Sequence, residues 1–127
     1  MQLSLKGKTA VVCGSTQGIG RAVAEELAQL GAKCILLARN EEALKEVVQH
    51  LETLSPQGHT YAVADFSKVE EVKAAIEKVA ANQTVHILIN NTGGPAAGPI
   101  INALPDAFTD AFNQHLVNNH NLVQAVV

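Results

Sequence analysis

Three observations predict a doubly wound α/β fold built on a parallel sheet. Short apolar runs alternate with amphipathic helical patterns along the chain. The runs are continuously apolar, as strands buried on both faces must be, and a glycine-rich turn joins the first run to the first helix. Crossovers between parallel strands are right-handed, so four strands order themselves 3-2-1-4. A crevice then opens between the first and the fourth at their carboxyl ends.

The first strand is "KTAVVCG", and from residue 18 to 30 the spacing switches to helical through Ile19, Val23, Leu27 and Leu30, with Gly31 as the stop. "KCILLA" is the second strand. Asn40 caps the second helix, "EEALKEVVQHLETL", whose acidic first turn complements the helix dipole, and Ser55, Pro56 and Gly58 end it. "TYAVA" is the third strand. Ser67 and Glu70 form a capping-box signature ahead of the third helix, "KVEEVKAAIEKVAANQ". "VHILIN" is the fourth strand, and after the loop "TGGPAAGP" a helix is expected from about Pro105. Phe108, Phe112, Leu116, Leu122, Val123 and Val126 supply its apolar face.

The 127 residues, 47% of them hydrophobic, suit one domain over residues 1–127. A net charge of −3 with scattered Lys and Arg argues against a nucleic-acid partner. No apolar run approaches a membrane span and "MQLSLKGK" does not resemble a signal peptide, so a cytoplasmic location is the expectation. Cys13 and Cys34 have neither metal-ligand nor disulfide-scaffold spacing. The predicted topology puts one near the end of a strand and the other near the start of its neighbour, too far apart to bridge. His50, His59, His86 and His120 lack convincing metal spacing, and no metal site is expected.

"GSTQGIG", residues 14–20, explains why three glycines gather at the first turn. Gly14 allows a sharp exit from the strand, Gly18 lets a bulky anion approach the main chain, and Gly20 permits close helix packing. The unpaired amides at the helix start then offer donors and partial positive charge to a pyrophosphate. A dinucleotide on a Rossmann-like sheet is the expected occupant, and a plain turn is the alternative.

With "NNTG" at residues 90–93, the chain resembles the short-chain dehydrogenase/reductase family, in motif order and spacing, from about Leu5 to its end. The resemblance implies that Gly14, Ser15, Thr16, Gln17, Gly18, Ile19 and Gly20 form the pyrophosphate loop. It further implies that Asp65 and Phe66 contact adenine and that Asn91 and Gly93 lie against the cofactor. Asn90 is as readily a tie between strands. Cys13 stands where the family usually has Thr, and Thr92 where it usually has Ala.

An acidic residue after the second strand would suit a ribose 2′-hydroxyl and repel a 2′-phosphate. This chain has Arg39, whose guanidinium can clamp a phosphate with help from Asn40, so NADP is expected over NAD. A solvated Arg that merely helps start the second helix is the alternative.

The family's proton donor is a Tyr followed four residues later by Lys, assisted by an upstream Ser and an Asn. The chain has one tyrosine, Tyr61, with Asp65 four residues on, and no serine after Ser67. Tyr61 reads as a packing residue of the third strand. Aligning Phe108, Phe112 and Leu116 with the family's pattern puts His115 where the catalytic Asn usually stands; imidazole can hold a relay water, or the relay is altered or lost.

The chain is therefore expected to be the amino-terminal half of an oxidoreductase acting between nicotinamide and a carbonyl or hydroxyl substrate. It would end before the fifth strand and be inactive alone. A non-catalytic dinucleotide-binding or oligomer-forming module is the second reading. "HILIN" at an uncovered sheet edge suggests self-association into a homo-oligomer. Substrate choice and reaction direction are not written in these residues.

Overall fold

The computed structural model describes residues 4–16, 18–90 and 117–127. The elements run β1 (Thr9–Cys13), α1 (Gly18–Gln29), β2 (Lys33–Ala38), α2 (Glu41–Leu54), β3 (Thr60–Val63), α3 (Val69–Asn82), β4 (Ile87–Ile89) and α4 (Asn118–Val126). All strand pairs are parallel and the order is β3-β2-β1-β4, as the alternation of runs and helices predicts. The part of the expected last helix before residue 117 lies outside the described residues.

Strand alternation divides the core into two layers. Val11, Cys13, Ile35 and Leu37 face α3 and α4, where Val72, Ile76, Val79 and Leu122 meet them. Val12, Cys34 and Leu36 face Ala24 and Ala28 of α1 and Leu44, Val47 and Leu51 of α2. The two thiols thus lie on opposite faces of the sheet, both free and buried. Burial pushes the Cys13 thiol up to about 12 and the Cys34 thiol up to about 11.

One detail of α1 differs from the periodic reading. Its buried stripe is Gly20, Ala24 and Ala28, whereas Leu27 is only partly buried and Ile19 is 76% exposed. The helical period is right but the buried face is rotated, because small side chains let the helix axis lie close to the sheet and the larger ones flank the contact. The stop at Gly31 is as expected. Its φ of 100° closes the helix with Gly31 N bonded to Ala28 O and Ala32 N to Leu27 O, the double bond of a Schellman motif.

The expected Ser67–Glu70 capping box does not form. α3 begins one residue later than that motif requires, with Lys68 at its cap and no side-chain cap bond. Ser67 instead gives both its N–H and its hydroxyl to Asp65 Oδ1, at 2.9 and 2.7 Å, so an Asx turn has taken the serine that would have capped the helix. Asn40 does cap α2, its Oδ1 accepting from Ala43 N at 3.1 Å.

Two histidines close the amino-terminal end of the sheet by one repeated device. His59 precedes β3 and accepts the Cys34 N–H at Nδ1 (2.9 Å), while its Nε2 faces Ser55 O at 2.7 Å and is therefore the protonated nitrogen. His86 precedes β4 and accepts the Thr9 N–H at Nδ1, at 3.1 Å. Each ring supplies an acceptor to a strand amide that lies one position before the neighbouring strand begins.

Gly31→Ala should cost about 1–2 kcal/mol or more, because an L side chain disfavours that φ and its Cβ would sit 3.0 Å from Lys6 Cγ. A lowered urea midpoint at constant slope is the expected reading. Both cysteines should resist an aromatic disulfide reagent in the native protein at mildly alkaline pH and react together on unfolding.

Candidate functional site

In a parallel sheet every strand delivers its carboxyl end to the same edge. The register pairs Cys13 with Leu37, Val12 with Ile89 and Ala38 with Val63, so the residues that follow these strands share one rim. Gly14, Arg39, Asp65 and Asn90 all stand there. The edge is the place at which the order of strands reverses, between β1 and β4.

The chain leaves β1 abruptly. Gly14 N still bonds to Leu37 O at 2.9 Å, but its φ of 64° turns the backbone out of the sheet, and Gly18 opens α1 at a φ of 61°. A Cβ on Gly18 would meet nothing within 4 Å, so glycine is needed there for the backbone angle and the space above it stays open. Between them Ser15 is fully buried and its hydroxyl oxygen has no hydrogen-bond partner. Ile19 projects into solvent and Gly20 is buried. An open turn at a helix start and an orphaned buried hydroxyl fit a phosphate-bearing group. Thr16 is half-buried beside Ser15, and Gln17 lies outside the described residues.

Arg39 is exposed at the end of β2 and lies near enough to Asp65 to favour its ionised form. Asn40 is occupied as the cap of α2 through its Oδ1. The hydrogen bonds from the Ser67 hydroxyl and then the Ser67 amide hold the Asp65 carboxyl below its ordinary range, with Arg39 and Lys68 adding to them. Both Ser67 bonds fall on Oδ1. Asp65 N in turn reaches Glu71 Oε1 at 3.3 Å, tying the loop to the first turn of α3. Phe66 packs against the core layer formed with α3 and α4.

A residue not assigned to the site from the sequence joins this loop. Asn118, in the first turn of α4, is fully buried, and its Nδ2 donates to Phe66 O at 2.6 Å. Its position, three residues beyond the His115 that stands at the family's Asn position, gives no linear sign of a partner 52 residues earlier. His115, Asn91 and Gly93 lie outside the described residues, and Asn90 is exposed at the end of β4. Tyr61 packs against the layer formed by α1 and α2, as the sequence suggests. Among the described residues no helix is long and apolar enough to cross a membrane.

The short chain dehydrogenase family profile matches residues 8–127, and the chain belongs to that family. It is 46% identical over 88 residues to very-long-chain 3-oxoacyl-CoA reductase-A of Danio rerio, covering 68% of this chain and 27% of that protein. It is 42% identical over 87 residues to inactive hydroxysteroid dehydrogenase-like protein 1 of Homo sapiens, covering 68% and 26%. The L-sorbose reductase of Gluconobacter frateurii, solved with NADPH and L-sorbose, superposes with a TM-score of 0.91 at 28% identity, over 99% of this chain and 48% of that one. The chain thus spans about a quarter of these two curated relatives and about half of the solved reductase.

Because Asp65 titrates below the ordinary carboxylate range, its contribution to stability is fully present above that range. It is lost as the pH falls through the lower native value. Ser67→Ala should move the Asp65 titration upward, towards the ordinary value, in carboxyl-carbon NMR.

Proposed function

We propose that this chain is the dinucleotide-binding part of an NADP-dependent oxidoreductase that exchanges hydride between nicotinamide and a carbonyl or hydroxyl substrate. One observation carries the reading: an open glycine turn with an orphaned buried Ser15 hydroxyl stands at the same sheet edge as an exposed Arg39. The family membership and a solved neighbour that binds NADPH support it.

The residues divide the work by chemistry. Main-chain amides from Gly14 to Gly20 suit the pyrophosphate, aided by the hydroxyls of Ser15 and Thr16 and by Gln17, with Ile19 as an apolar cover. Arg39 presents a planar fork of donors to a 2′-phosphate, with the Asn40 amide group beside it. Asp65 and Phe66 serve the adenine, and Asn91 and Gly93 the remainder of the cofactor. Bound nicotinamide supplies the hydride. The proton needs another group: Tyr61 is followed at the fourth position by Asp65 rather than Lys, and it is spent on packing. These 127 residues therefore bind without turning over, and His115 at the family's Asn position is the candidate relay residue.

A second reading, a non-catalytic dinucleotide-binding or oligomer-forming module, is favoured by the relative whose name records it as inactive. Continuation of the reading frame into a Tyr-x-x-x-Lys segment favours the enzyme, and a stop codon directly after Val127 favours the module.

Calorimetric titration with NADP and NAD tests the phosphate assignment. Arg39→Ala should weaken NADP about tenfold, equivalent to ~1.4 kcal/mol, and leave NAD within about threefold. A loss of under about threefold for NADP would retire the clamp, and NADPH oxidation by this chain alone would refute the missing proton donor.

A further inference from the structure

The loop after β3 is bonded mostly to its immediate surroundings. Ala64 N reaches Ala38 O in β2, Lys68 N reaches Asp65 O, Ser67 binds the Asp65 carboxylate, and Glu71 of α3 accepts from Asp65 N. Among the described residues one hydrogen bond leaves this neighbourhood: Phe66 O accepts from Asn118 Nδ2, across 52 positions of sequence. Phe66 also packs on the core layer to which Leu122, one turn along α4, belongs.

Stability does not account for the amide at position 118. Its Oδ1 is buried without a partner, so an apolar side chain of similar size would remove one unsatisfied acceptor in exchange for the bond to Phe66 O and leave no more unsatisfied groups than before. The single bond it makes falls on the main chain between Asp65 and Ser67, the two residues whose pairing orients the carboxylate. Both Ser67 donors fall on Oδ1 of Asp65, and neither engages Oδ2.

We infer that Asn118 is a positioning residue for the adenine half of the site: by tying the Phe66 carbonyl to α4 it fixes where Asp65 presents its carboxylate. The inference rests on the dinucleotide reading above and deepens it. A carboxylate is an acceptor, so it favours a base edge that carries an amine donor and disfavours one that carries a carbonyl. The base, rather than the phosphate, is what Asn118 influences.

The test compares NADP with its hypoxanthine analogue, in which the exocyclic amine is replaced by a carbonyl, by titration against this chain and three variants. The unsubstituted chain should prefer the adenine dinucleotide by about tenfold. Asp65→Ala should bring the ratio within about threefold. Asn118→Leu should do the same while unfolding at an equal or higher urea concentration, and the double variant should lose nothing beyond Asp65→Ala. Asn118→Ala, which also lacks the donor, serves if the leucine variant does not fold. A folded position-118 variant that keeps the tenfold preference overturns the inference, as does an unsubstituted chain that does not discriminate. A chain that takes up neither dinucleotide overturns the dinucleotide reading itself, and the inference with it.

Discussion

The rest of the structure depends on the hydrogen-bonded registration of β1 between β2 and β4. All five residues of β1 are buried, so the strand can satisfy its amides only through its neighbours, and a parallel arrangement forces both neighbours to point the same way. A one-residue slip would exchange the two core layers, moving Val11 and Cys13 to the face now held by Val12. Registration thereby determines that Gly14, Arg39 and Asp65, distant in sequence, share a rim.

The two ends of that sheet are handled by different chemistry. At the amino end, where β3 and β4 begin one position too late to pair with Cys34 N and Thr9 N, imidazoles complete the ladder. Buried donors are satisfied there, and the polar groups serve packing. At the carboxyl end polar capacity is left open: the buried Ser15 hydroxyl is orphaned, and Ser67 holds the Asp65 carboxylate through one oxygen alone. Unsatisfied groups destabilise the chain unless a ligand meets them, which is the expected cost of a site formed in advance of its occupant.

Small residues make this geometry possible. Gly20, Ala24 and Ala28 form the buried stripe of α1 and let the helix lie close to the sheet. On the opposite layer, α3 and α4 pack together and bracket the loop after β3, one through Glu71 and the other through Asn118. The loop after β3 is thus supported by both helices of its layer.

The sequence by itself determined the class of fold, the strand order, the caps at Asn40 and Gly31 and the position of the glycine turn. These signals are local or periodic: an apolar run, a helical spacing and a side chain that bonds within three residues operate whatever the rest of the chain does. The tertiary structure decided which face of α1 is buried, where α3 starts, how His59 and His86 complete the ladder, and that Asn118 reaches Phe66. Those outcomes rest on contacts between distant segments or on competition between two bonds for one group, as when Asp65 takes Ser67 from the capping box. Linear spacing carries no record of either, because the partner enters range only after the sheet has set the distance.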